Sequence, residues 1–139
     1  MTKTDRRELV TRADLSVLDR VRAFVQGSLA RLGLDEKDVF RIELALHEIC
    51  VNVAMYAYPR EKGELRLASW REGARLVFEI RDDGVPFDPS ETPPPDLEAK
   101  VRAGRPGGLG IFFYKTFLDG VAYRREGGEN ILTVFKRLQ

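Results

Sequence analysis

The chain has 139 residues, 43% hydrophobic and 32% charged, enough apolar content for one buried core and too much for a disordered polymer. Its 23 basic and 22 acidic side chains are interspersed and leave a net charge of +1, so neither a basic stripe for nucleic acid nor an acidic tail is present. No apolar run approaches the roughly 20 residues that span a bilayer or follows the charged start Met1 to Glu8, and Cys50 has no partner for an internal disulfide, which together predict a cytoplasmic protein without membrane contact.

Taken in chain order, Glu8 to Arg12 reads as a short strand. Asp14 or Ser16 then caps a helix whose Leu18, Val21, Val25, Leu29 and Leu32 fall on one face, with Gly33 as its stop. Asp35 opens a second helix that the spacing carries to about Ala57, ahead of Pro59, with a core stripe of Val39, Ile42, Leu46, Ile49 and Val53. Glu64 to Trp70 and Arg75 to Arg81 form a hairpin turned at Glu72-Gly73.

From Asp83 to Gly107 the periodicity stops and prolines multiply, as in a long functional loop, with a short helix predicted around Asp96 to Ala103. A helix after Gly108-Leu109-Gly110 runs to about Leu118. Val121 to Glu126 and Ile131 to Lys136 close the chain as two strands turned at Gly127-Gly128. This order predicts a single domain over residues 1–139, a two-layer α/β sandwich with helices on one face of a mixed sheet.

Three short motifs carry chemistry. On the second helix, Glu48 and Asn52 are four residues apart, so they lie about 40° from each other on one face among apolar neighbours. A carboxylate and an amide placed there call for a polar target such as magnesium or phosphate oxygens, or else mark a solvent-facing stripe. After the clearest strand comes Asp82-Asp83-Gly84-Val85-Pro86. The carboxylate can accept a hydrogen bond from an exocyclic amine such as that of adenine, with glycine allowing close approach, and an ordinary Asp-Gly turn is the alternative. Third, Arg105-Pro106-Gly107-Gly108-Leu109-Gly110 precedes a helix, where exposed backbone N–H groups can hold phosphate. No Lys-Ser/Thr pair follows the glycines as a Walker loop requires, and their spacing is not that of a dinucleotide fingerprint.

In this order and at these separations the motifs resemble the N, G1 and G2 boxes of the GHKL ATPase superfamily, which holds gyrase, heat-shock chaperones, histidine kinases and MutL. Within it the chain is most similar to the anti-sigma-factor serine/threonine kinases of bacteria. That likeness is carried also by the chain's short size, by Leu44-Ala45-Leu46-His47-Glu48, by the Ala57-Tyr58 ending and by Phe117-Leu118-Asp119. Two departures stand out: Tyr56 where many relatives carry histidine, and Pro86 in place of a second G1 glycine.

The resemblance implies a Bergerat-type sandwich that binds ATP or ADP with magnesium. It makes Glu48 the catalytic base and Asn52 the magnesium ligand. Asp82 reads the adenine with Gly84 and Pro86 beside it, and Arg105, Gly107, Gly108, Leu109 and Gly110 complete the nucleotide site. Residues 87 to 106 become the ATP lid. The implied partners are a STAS-domain anti-anti-sigma protein as substrate and a sigma factor, with the kinase itself a homodimer and no direct nucleic-acid contact. The implied activity is that of a serine/threonine protein kinase and anti-sigma factor. The rivals are a nucleotide-binding partner-switching module with little or no kinase activity, and a detached histidine-kinase catalytic domain, which would need a phosphoaccepting histidine.

His47 is the only histidine in the chain. It neighbours Glu48 and faces about 100° away around the helix, which predicts a structural role outside the site. Cys50 reads as a small core residue and Trp70 as cover for the sheet. Lys100, Arg102 and Arg105 either balance phosphate charge or are simply solvated.

Overall fold

The computed structural model describes residues 3–14, 18–30, 32–58, 63–88 and 117–138. Five strands form one sheet: β1 (Lys3–Arg12), β2 (Glu64–Glu72), β3 (Arg75–Asp82), β4 (Gly120–Glu126) and β5 (Glu129–Arg137), in the spatial order β1-β2-β3-β5-β4. Two helices, α1 (Leu18–Leu29) and α2 (Glu36–Asn52), pack on one face of it. The expected α/β sandwich is therefore present.

The sheet expected to be mixed is antiparallel at each of its four pairings. The last hairpin accounts for the β4–β5 pairing. Gly127 and Gly128, at φ 58° and 79°, take the left-handed backbone that a side chain resists, and they fold β5 back between β4 and β3. β4 is left at the edge.

β1 begins earlier than expected, at Lys3, because its first six residues are all exposed and show no alternation to read. Main-chain pairing with β2 extends it through a register shift between Thr4 and Arg7.

The start of α2 follows from local chemistry. The Asp35 side chain accepts the Asp38 N–H at 2.8 Å, and Glu36 and Asp38 place negative charge in the first turn. Ile42, Leu46, Ile49 and Val53 are at most 2% exposed and fill the space over Leu65, Phe78, Ile80 and Val134. Each such side chain contributes about 1.5–3 kcal/mol of burial. Val39 completes the stripe only partly buried, as does Leu32 beyond the end of α1.

The second helix does not continue unchanged to Ala57. After Asn52 it widens into a single π turn, Val53–Ala57, a distortion often found at functional sites.

A smaller apolar cluster, Ala68, Trp70 and Val77 with Phe135, covers the opposite face of the sheet. Lys3 Nζ lies 4.2 Å from the Trp70 ring and the Arg75 guanidinium 4.4 Å from that of Phe135, so long cationic side chains shield this face. Trp70 thus covers the sheet as its pattern suggests, and Cys50 is a fully buried core residue whose thiol burial pushes up to about 12. Among the described residues, no helix is long and apolar enough to cross a membrane.

Candidate functional site

Asn52 ends α2 with 1% of its surface exposed, and among the described residues neither Nδ2 nor Oδ1 of its side chain has a hydrogen-bond partner. Leaving a buried polar group unpaired costs about 1–3 kcal/mol, so a stretch of otherwise apolar helix carries a penalty that a polar ligand relieves. Glu48 lies one turn earlier with its side chain 20% exposed.

His47 and Glu48 differ by about 100° in helical position, yet their side-chain tips come near each other. His47 Nδ1 lies 3.9 Å from Glu48 Oε1. Angular separation of Cα–Cβ directions does not fix where long side chains end.

Asp82 closes β3 with 2% exposure. Its Oδ1 accepts the Gly84 N–H at 3.0 Å and Asn130 Nδ2 at 2.8 Å. Burial holds the carboxyl above the usual carboxylate range, opposed by those two donors and by the charge of Arg125. A buried carboxylate with both protein donors on one oxygen keeps acceptor capacity on the other.

The two halves of the site are joined by the main chain. Val85 N donates to Ala57 O at 2.8 Å, so the loop after β3 is bonded to the end of the π turn that follows Asn52. Only glycine fits at position 84: a Cβ there would lie 2.2 Å from Ala57 O. Tyr58 reinforces the joint, since its hydroxyl accepts the Asp83 N–H at 2.9 Å and sits 2.6 Å from Asp83 Oδ1. Its burial, helped by Asp83, raises the phenol well above its ordinary value. The Tyr56 and Phe87 rings pack 5.6 Å apart, which gives the departure at Tyr56 an aromatic contact that histidine would make less well.

Asn130, Tyr123 and Arg125 belong to this constellation and are not singled out by the sequence. Asn130 faces Asp82 across the β3–β5 register, while Tyr123 and Arg125 reach Asn130 from β4. A buried Asn among the apolar residues that open β5 is the one signal that points to it.

Pro86 is described and exposed. Arg105, Gly107, Gly108, Leu109 and Gly110 lie outside the described residues, as do the predicted helix at Asp96 to Ala103 and all of the expected lid except Phe87 and Asp88.

The donor set fits a magnesium nucleotide. Among the described residues no group of three His, Cys, Asp or Glu side chains could hold a metal by itself. Magnesium keeps several waters and takes substrate phosphates with only one or two protein oxygens, and a carboxamide oxygen such as that of Asn52 can be one of them.

A sequence profile of the histidine kinase-like ATPase domain matches residues 11–136. The serine-protein kinases RsbW of Bacillus cereus (strain AH820) and Bacillus mycoides (strain KBAB4) are each 25% identical to the chain over 136 residues, covering 95% of it and 85% of the relative. Among solved structures, the Acinetobacter baumannii histidine kinase AdeS superposes with a TM-score of 0.50 at 17% identity, over 96% of this chain and 69% of its own, a likeness of fold.

Proposed function

Because the chain belongs to the histidine kinase-like ATPase domain family, we propose that it is a single-domain, magnesium-dependent serine/threonine protein kinase that transfers phosphate from ATP to a STAS-type antagonist protein and sequesters a sigma factor. The reading carries with it a homodimer, which follows from the resemblance set out above, and a place in the cytoplasm, which follows from the composition and the single cysteine. The observation that supports the reading most is the buried Asn52 side chain, unpartnered among the described residues, at the end of a helix whose π turn is bonded through Ala57 O and Val85 N to the loop that carries Asp82.

Each residue then has a stated task. Asp82 accepts the adenine amine, and Gly84 allows the base to lie against the backbone. Asn52 offers its carboxamide oxygen toward the metal and phosphates. Magnesium, when bound, neutralises the charge of the phosphates and holds them in place. Glu48 accepts the proton of the attacking hydroxyl as its oxygen bonds to the terminal phosphorus and the bond to ADP breaks. Pro86, Arg105 and Gly107 to Gly110 complete the nucleotide-binding set.

An amine-reading carboxylate discriminates between purines. Calorimetric titration should give binding of ATP and ADP and much weaker binding of GTP, whose base presents a carbonyl where adenine has the amine. Equal affinities for ATP and GTP would remove the assignment of Asp82.

A further inference from the structure

Asn130 is 2% exposed and, among the described residues, makes more polar contacts than any other side chain around the site. Its Nδ2 donates to Asp82 Oδ1 and to Val85 O, each at 2.8 Å. Its Oδ1 receives the Phe87 N–H at 3.1 Å, the Tyr123 hydroxyl at 2.5 Å and Arg125 Nη1 at 3.1 Å. The amide cannot be turned over, since that would set its oxygen against a carboxylate and a carbonyl and its NH2 against three donors.

These contacts span the loop. Asp82, Val85 and Phe87 have no ladder partners beyond Asp82 itself, and one side chain on the neighbouring strand grips all three. Arg125 adds a fourth point, donating from the same Nη1 to Gly84 O at 2.8 Å. Phe87 in turn packs on Tyr56 of the π turn. The loop is thus held from β5 on one side and from the end of α2 on the other.

We infer that Asn130 is a positioning residue for nucleotide recognition: it fixes Oδ1 of Asp82 so that Oδ2 is offered to the base amine, and it ties that carboxylate to the Phe87 backbone. Only a carboxamide supplies a donor to the carboxylate and an acceptor to the main chain at this reach. Aspartate would place two carboxylates in contact, and leucine would supply neither bond. The inference rests on the reading of Asp82 as the adenine-binding group.

The test uses the whole chain with Asn130→Leu and Asn130→Thr, the second in case the first does not fold, and Asp82→Asn as control. Calorimetry with ATP and GTP is paired with amide NMR of Gly84 and Phe87 during ADP titration. In the parent both amides shift with one binding curve. Each Asn130 variant is expected to lose about tenfold or more in ATP affinity, the scale of one hydrogen bond to a charged group, with a smaller ATP-to-GTP ratio. In each the Phe87 amide no longer follows the Gly84 curve, a change that general destabilisation would not produce. A folded variant with parental affinity, ratio and coupled amides overturns the inference about Asn130 alone. If Asp82→Asn keeps the ATP preference, the reading of Asp82 falls first and the inference with it.

Discussion

The amide of Val85 donates to the carbonyl of Ala57 at 2.8 Å, and that single bond joins two motifs that are about thirty residues apart in sequence. It places the loop beginning at Asp82 directly against the helix end that carries Asn52. The close packing depends on Gly84, where a methyl group would meet Ala57 O at 2.2 Å. Gly84→Ala is therefore expected to lift the loop off the π turn at a cost of about 1–3 kcal/mol, as for other overpacked sites. Thermal melting reads the cost, and ATP titration of the same sample should show weakened binding. Unchanged melting and binding would mean that the loop has room to spare.

Asn52 gives a sharper separation of function from stability. Its amide is buried with no partner among the described residues, so its removal forfeits little in the nucleotide-free protein. Asn52→Ala should lower stability by less than about 1 kcal/mol, whereas Ile49→Ala one turn away should cost about 2–5 kcal/mol. Magnesium-dependent ATP binding should fall in the first variant despite its intact fold. Paired denaturant melts of the two variants decide the comparison, and equal losses would contradict it.

The pH dependence of Asp82 has a definite sign. Burial raises its pKa in the folded chain, so the folded state holds the proton more tightly than the unfolded one. That contribution to stability is full below the ordinary carboxylate range and is lost as pH rises through the raised value. Asp82→Asn keeps Oδ1 for Gly84 and Asn130 and never ionises. It should therefore melt above the parent at neutral pH, with the gap closing in acid, while losing more than about 1.5 kcal/mol of ATP affinity. Melting below the parent at neutral pH would show that the ionised carboxylate is well compensated by its neighbours.

Much of this architecture is legible in the sequence where the signal is local. The stripe Ile42, Leu46, Ile49 and Val53 defines α2, alternation at Leu76, Phe78 and Ile80 defines β3, and the spacing of Glu48 and Asn52 puts both on one helical face. What is not legible depends on pairing at a distance. The first half of β1 is exposed and charged, so only its partner strand reveals it. The antiparallel placement of β5 beside β3 follows from the fold of the whole chain, and with it goes the meeting of Asn130 with Asp82. The π turn after Asn52 has no marker in residue type. For His47 the helical angle is legible, and how near its side-chain tip comes to Glu48 is not.

The central claim is phosphate transfer to a hydroxyl on another protein, and phosphosite mapping after incubation with ATP, magnesium and a STAS-type partner tests it most directly. The account predicts acid-stable phosphate on a serine or threonine of the partner. With Glu48→Gln, transfer should fall by roughly a hundredfold or more, the scale of a general base, while nucleotide binding is retained. Acid-labile phosphate on His47 would contradict the claim, as would ATP binding with phosphate on neither protein, the result expected of a partner-switching module without kinase activity.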